Sequence, residues 1–124
     1  MIINKMAAIL VANNLGTLGV NIFTHFMPVR VTTGILILPR LSGELIDYDL
    51  PGMRRGGFQV VVRVPDYDEA LINSIIPLLT IDGKVVDGLD IKYIHPRHDP
   101  VVYPATDGNN IEYSVNFDAV YAKT

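Results

Sequence analysis

Apolar positions along this chain recur at two spacings, one helical and one alternating, and the spacing changes several times between the ends. Met6 to Ala12 is apolar, with Asn4 placed to cap a helix and Gly16 to stop it. Met6, Ile9, Leu10 and Asn13 fall on neighbouring faces, so this helix is apolar nearly all round. It is expected to pack across a sheet or to sit in a subunit contact. Val20 to Phe26 is rich in β-formers and is closed by Met27-Pro28. A second extended stretch, Val29 to Leu38, ends in Ile35-Leu36-Ile37-Leu38 before Pro39, the pattern of a strand covered on both faces. Phe58 to Val64 alternates, with Phe58, Val60, Val62 and Val64 on one face and Gln59, Val61 and Arg63 on the other. Asp66 with Glu69 resembles a capping box, and Ala70, Leu71, Ser74, Ile75, Leu78 and Leu79 repeat at helical spacing. Pro77 conflicts with that helix and predicts a kink or a restart near Ile76.

Asp82-Gly83, Asp87-Gly88 and Asp107 to Asn110 read as turns, and Leu89 to His95 and Val101 to Tyr103 as strands. The last strand, Ile111 to Ala122, sets Ile111, Tyr113, Val115, Phe117, Ala119 and Tyr121 against a polar face of Glu112, Ser114, Asn116 and Asp118. This order predicts a single α+β domain over residues 1–124. Its sheet is expected to be mostly antiparallel, with four to six strands packed by two helices. Between two of the strands, Arg40 to Gly57 has no clean period. A long irregular arm of this kind is functional or mobile in a compact domain.

Composition narrows the function classes. An apolar content of 49% with 19% charged residues suffices for a core and excludes a disordered chain. A net charge of −3 argues against a dedicated nucleic-acid binder, which needs a dense basic face. The chain has no cysteine, so disulfides and thiolate metal sites are excluded. Met6 to Ala12 is short for the apolar part of a signal peptide and runs straight into Asn13-Asn14, so it reads as a buried helix. No stretch approaches the roughly 18 apolar residues of a membrane span, and no membrane partner is expected.

The chemical motifs are weak. The glycines at 52, 56 and 57 lack the Lys-Ser/Thr of a phosphate loop, and no Gly-x-Gly-x-x-Gly fingerprint is present. His95-Pro96-Arg97-His98-Asp99 brings two imidazoles and a carboxylate close in sequence, but across a proline in an extended segment this spacing does not favour convergence on a metal. Asp82, Asp87 and Asp90 miss the spacing of a calcium hand loop. Glu44, Asp47 and Asp49 carry no sign of facing one another as a glycosidase pair. Arg54-Arg55 is a two-residue basic step, better suited to a protein contact than to nucleic acid in this acidic chain. The residues point to an assembly subunit without catalytic residues, cofactor or metal.

The order of features also resembles the tail terminator proteins of long-tailed bacteriophages, known too as tail-completion or minor capsid proteins. Met27-Pro28 precedes an apolar strand and an arm, then Gly57-Phe58-Gln59-Val60-Val61-Val62-Arg63-Val64 leads into Asp66-Tyr67-Asp68-Glu69-Ala70. Pro96, His98-Asp99-Pro100, Gly108 and the strand Tyr113-Ser114-Val115-Asn116-Phe117 follow in similar order. The resemblance implies a ring, commonly a hexamer, on the last ring of the tail tube. It implies self-association, contact with the tube protein and with a head-tail connector or neck protein, and DNA only as it passes through the lumen. It places the protein in the virion, at the head-proximal end of the tail, after synthesis in the host cytoplasm. The alternatives are a connector or neck subunit and, in another class, a small enzyme or metal site in the 95–99 loop.

A ring closes when each subunit presents two complementary patches. The arm would supply one, with Tyr48, Leu50, Met53, Arg54 and Arg55 as interface residues. The polar face of the final strand, with Glu112, Asn116 and Asp118, or the first helix, would supply the other. Deleting Ile46 to Arg54 is expected to leave a folded monomer by light scattering. A truncated chain that still forms the same ring would contradict the arm's role.

Overall fold

The computed structural model describes residues 2–40, 45, 46, 50, 52–104 and 110–123. Glu44, Asp47, Tyr48, Asp49 and the expected turn at 107–109 lie outside the described residues. In chain order the elements are α1 (Ile2–Ala12), β1 (Ile22–Thr24), β2 (Gly34–Pro39), β3 (Leu45–Ile46), β4 (Met53–Val64) and α2 (Ala70–Leu79). Then follow β5 (Ile81–Val86), β6 (Leu89–Pro96), β7 (Val101–Pro104) and β8 (Ile111–Lys123). The class is α+β. One sheet runs in the order β1-β2-β4-β8-β6-β5, with β3 paired to β4 and β7 paired to β8. Among the described strand pairs only β1–β2 is parallel, so the sheet is mostly antiparallel as its alternating segments predict.

The two long strands form the spine. From Met53 to Val64, each residue of β4 faces one of β8 from Ala122 back to Ile111, with no break in register. Phe58 stands directly opposite Phe117, their rings stacked with centroids 5.0 Å apart. Such a pair adds about 0.5–1.5 kcal/mol beyond the apolar area it buries. Phe58, Val60, Val62, Val115 and Phe117 are buried under the helices together with Ile3, Met6 and Leu10 of α1 and Ile72, Ile75 and Leu79 of α2. Among the described residues, no helix lies on the opposite face of the sheet.

Several boundaries differ from the sequence reading, each for a local reason. Helix α1 starts at Ile2, and Asn4 is an exposed position in its first turn instead of its cap. It ends at Ala12 and is closed by Asn14, not Gly16. Asn14 is left-handed at φ 62°, and the amides of Asn14 and Leu15 return to the carbonyls of Val11 and Leu10, a Schellman closure made with asparagine. The strand expected over Val20 to Phe26 contracts to β1, because residues 17–22 form a turn and His25 has φ 74°. Likewise Val29 to Val31 is a turn, and β2 starts at Gly34.

The capping box at Asp66 and Glu69 is not made. Asp68 accepts from the Ala70 amide instead, at 2.9 Å, and Glu69 makes no side-chain cap. Helix α2 continues through Pro77 to Leu79. Pro77 lies in the last turn on the exposed side and has no amide to donate to the carbonyl of Asn73, itself an exposed residue. Thr80 then closes the helix by donating both its amide and its hydroxyl to the Ile76 carbonyl.

The sheet has more strands than expected because two signals were local. Gly83, at φ 56°, sits inside β5 and not at a turn between elements. The β5–β6 hairpin turn is Asp87-Gly88, both residues left-handed, as two-residue hairpins require. The arm also narrows, because Met53 to Gly57 continue β4 and Leu45 and Ile46 pair with Arg55 and Arg54.

Tyr113 joins the spine to α2. It is buried on the helix side of β8, and burial, followed by the nearby charges of Glu69, Asp68 and Tyr67, raises its phenol above the ordinary value of 10.0. A hydrogen bond from the Asp68 backbone acts in the opposite direction. A phenol raised on folding contributes fully below its unfolded value and loses that contribution as pH rises through the folded value. Stability to urea should therefore fall as pH rises above the ordinary phenol value of 10.0, and Tyr113→Phe should fall less over the same interval. Equal losses in the two proteins would contradict this placement.

Candidate assembly surfaces

The alternation of β4 and β8 delivers Gln59, Arg63, Glu112, Ser114, Asn116 and Asp118 to the open face of the sheet, as their spacing predicts. There they are paired within the chain. Arg63 donates through Nε to Glu112 at 3.0 Å and through Nη1 to the carbonyls of Pro28 and Val31 at 2.8 and 3.1 Å. Gln59 Nε2 donates to Ser114 Oγ at 2.6 Å. The Asn116 backbone amide donates to His98 Nε2 at 3.3 Å, and the other ring nitrogen of His98 lies 2.6 Å from the Asp99 carbonyl oxygen. Asp118 takes Arg40 on one oxygen at 2.6 Å and faces Arg97 Nε with the other at 3.4 Å.

Of the interface residues named from the sequence, Glu112, Asn116 and Asp118 therefore share this face, each already engaged. In the arm, Leu50 is exposed and Met53 half-buried at the start of β4. Arg54 and Arg55 do not act as a doublet. They are successive strand residues and so project from opposite faces, Arg54 in register with Ile46 and Tyr121 and Arg55 with Leu45 and Val120. Tyr48 lies outside the described residues. The partners that sequence reasoning missed are Arg40, Arg63 and Arg97. Arg63 alone had a legible signal, being on the polar side of an alternating strand.

The 95–99 loop does not gather its imidazoles on one point. His95 pairs with Asp82 of β5 at 2.6 Å, while His98 turns to Asn116 and Asp99. Among the described residues, no three His, Asp or Glu side chains are grouped to hold a metal.

The helix side has a different character. Within α1 and α2 the one charged residue is Lys5, and it is bound to Asp87 of the β5–β6 turn at 2.7 Å, which lowers the Asp87 carboxyl below its ordinary value. The outward positions are Asn4, Ala8, Val11 and Ala12 on α1 and Asn73, Ser74 and Pro77 on α2, with Ile9, Leu71, Ile76 and Leu78 partly buried beside them. A solvent-facing helix ordinarily carries charge on its outer side. These two do not. At the arm, Leu45, Ile46 and Leu50 are exposed, at 69, 56 and 59%. No helix among the described residues is long and apolar enough to cross a membrane.

Two helices on one side of an open, mostly antiparallel sheet, with exposed apolar groups on the arm and a helical layer whose one charge, Lys5, is already paired, define a small α+β subunit whose distinctive features lie on its surfaces. The sequence profile described as bacteriophage tail terminator protein matches residues 9–123, and the chain belongs to that family. It is thus a structural phage tail protein and a component of the virion, associated there with other tail or head proteins. Comparison with curated proteins gave no match. Among solved structures, a chain of the virion of a native gene transfer agent particle has the same fold, with a TM-score of 0.64 and 11% identity. The alignment covers 94% of this chain and 84% of that one.

Proposed function

We propose that this chain closes into a ring, a hexamer as implied by the resemblance to tail terminators, on the head-proximal end of the tail tube. There it ends tube polymerisation and offers the surface on which the head, or its connector or neck protein, is joined. The mechanism is interface matching, with no reaction. One side of the ring repeats the contacts of a tube subunit and the other does not, so growth stops, while DNA passes through the lumen. The protein is made in the host cytoplasm and acts as one domain.

Beyond family membership, one observation carries the reading: the outer side of the helical layer bears no charge of its own save Lys5, which is already paired. Of the two surfaces proposed to receive the arm, this layer suits it better than the open face. The polar groups of that face already have partners in the chain, whereas Ala8, Val11 and Ser74 present small, neutral groups to which Leu45, Ile46 and Leu50 of a neighbour are complementary. The arm and the helical layer are different patches on one subunit, as a head-to-tail ring requires.

Ala8→Glu places a charge on this layer without touching the core. Its folding stability should stay within about 0.5 kcal/mol of the parent, as exposed substitutions do. Its mass by light scattering should fall from ring to monomer at concentrations where the parent is assembled. An Ala8→Glu protein that forms rings at the parent's concentration would remove the helical layer from the interface.

A further inference from the structure

At the end of the spine away from the arm, strand register carries one row of residues across the whole sheet. Ile22 faces Ile35, Ile35 faces Val62, Val62 faces Tyr113 and Tyr113 faces Val102, so the strand order at this level is β1-β2-β4-β8-β7. The first four of these residues are buried, but Val102 is 42% exposed. The row thus reaches its last strand with an apolar side chain left open. Val101 and Tyr103 are exposed beside it, and so is Tyr67, which lies close enough to Tyr113 to act on its phenol.

The other end of the row is apolar as well. Leu18, which bridges to Ile22, and Val20 are exposed next to β1. The connection from β1 to β2 then presents Phe26 and Val29, 69 and 74% exposed. Four strand spacings of about 4.8 Å put roughly 19 Å between β1 and β7, so the two flanks cannot cover one another within a subunit.

Charge tells the flanks apart. Residues 1–43 contain Lys5, Arg30 and Arg40 and no Asp or Glu. Residues 64–83 contain three Asp and one Glu, and residues 98–122 contain three Asp and one Glu, with no Lys or Arg in either segment. Lys5 is held by Asp87 and Arg40 by Asp118. Arg30 is exposed beside Val29 and, among the described residues, pairs with no carboxylate. Asp66 and Glu69 are exposed on either side of Tyr67 and, among the described residues, pair with no cation. The charges of Glu69 and Asp68 act on Tyr113, which faces Val102, so this acidic segment belongs to the β7 flank.

We propose that the β1 flank of one copy, through Phe26, Val29 and Arg30, docks on the β7 flank of a second copy. There Tyr67 and Val102 receive the apolar groups, and Asp66 and Glu69 receive the guanidinium. The proposal rests on the reading of the chain as a ring subunit. It adds a contact at the Val64 end of the spine to the one drawn for the arm at the Met53 end. A head-to-tail ring needs two different and complementary patches on each subunit. These two are apolar, opposite in charge and on opposite edges of one sheet, whereas two copies meeting through the same flank would set like charges together.

Charge reversal tests this, read from native mass across protein concentration. Arg30→Glu and Asp66→Arg should each raise the concentration at which half the chains are in rings by about tenfold, since each sets like charges face to face. The chain carrying both substitutions should return to within about threefold of the parent, because every contact again joins opposite charges. Both positions are exposed, so the urea midpoints of all three variants should match the parent's, which separates a lost contact from a lost fold. Single variants that assemble like the parent, or a double variant that assembles no better than the worse single one, would overturn the proposal and leave the ring reading in place. A parent that stays monomeric at every concentration, with and without tube ends, would overturn both.

Discussion

The structure depends on the unbroken ladder between Met53–Val64 and residues 111–122. Every other strand is laid against one of these two, directly or through a neighbour, and both helices cover the same side of the sheet. Register there is held by side chains of very different kinds on the two faces. On one, Phe58 stacks on Phe117 among buried valines; on the other, Arg63 meets Glu112 and Gln59 meets Ser114. A slip of one residue would bring the charged set under the helices and the aromatic pair into water, so this register is strongly specified.

The same division separates the surfaces. Glu112 and Asp118 of β8 meet Arg63, Arg40 and Arg97 on the open face, where half-exposed ion pairs of this kind each contribute at most about 1 kcal/mol and give geometry more than stability. The helical layer, relieved of charge, can approach another protein without stripping water from an ion that gains no partner. The proposed role calls for both properties: a fold that persists as a free subunit, and sides able to receive copies and tube subunits from different directions.

What could be read from the sequence follows the strength of local patterns. The alternation of Phe58 to Val64 and of the final strand was legible with its burial, because each face of a strand answers to one environment. Helix α2 was legible from its spacing, while its cap was not: Asp68, and not Asp66, accepts from the Ala70 amide. Strand β5 was hidden because Asp82-Gly83 resembles a turn, and only the long-range pairing of Ile81 and Asp82 with Ile94 and Tyr93 overrides it. The candidate surfaces were legible as residues and illegible as relationships. Glu112, Asn116 and Asp118 stood out as polar positions, but Arg40 lies 78 residues from Asp118 in the chain, and nothing in either neighbourhood announces their bond.

The central claim is that this subunit recognises copies of itself and the end of a tail tube, and that recognition is its whole activity. The most direct measurement is native mass by light scattering after size exclusion, across a range of protein concentrations and with isolated tail tubes and free tube protein added. The account predicts a ring, or binding at tube ends that halts their growth. A stable monomer that leaves tube growth unchanged would contradict it.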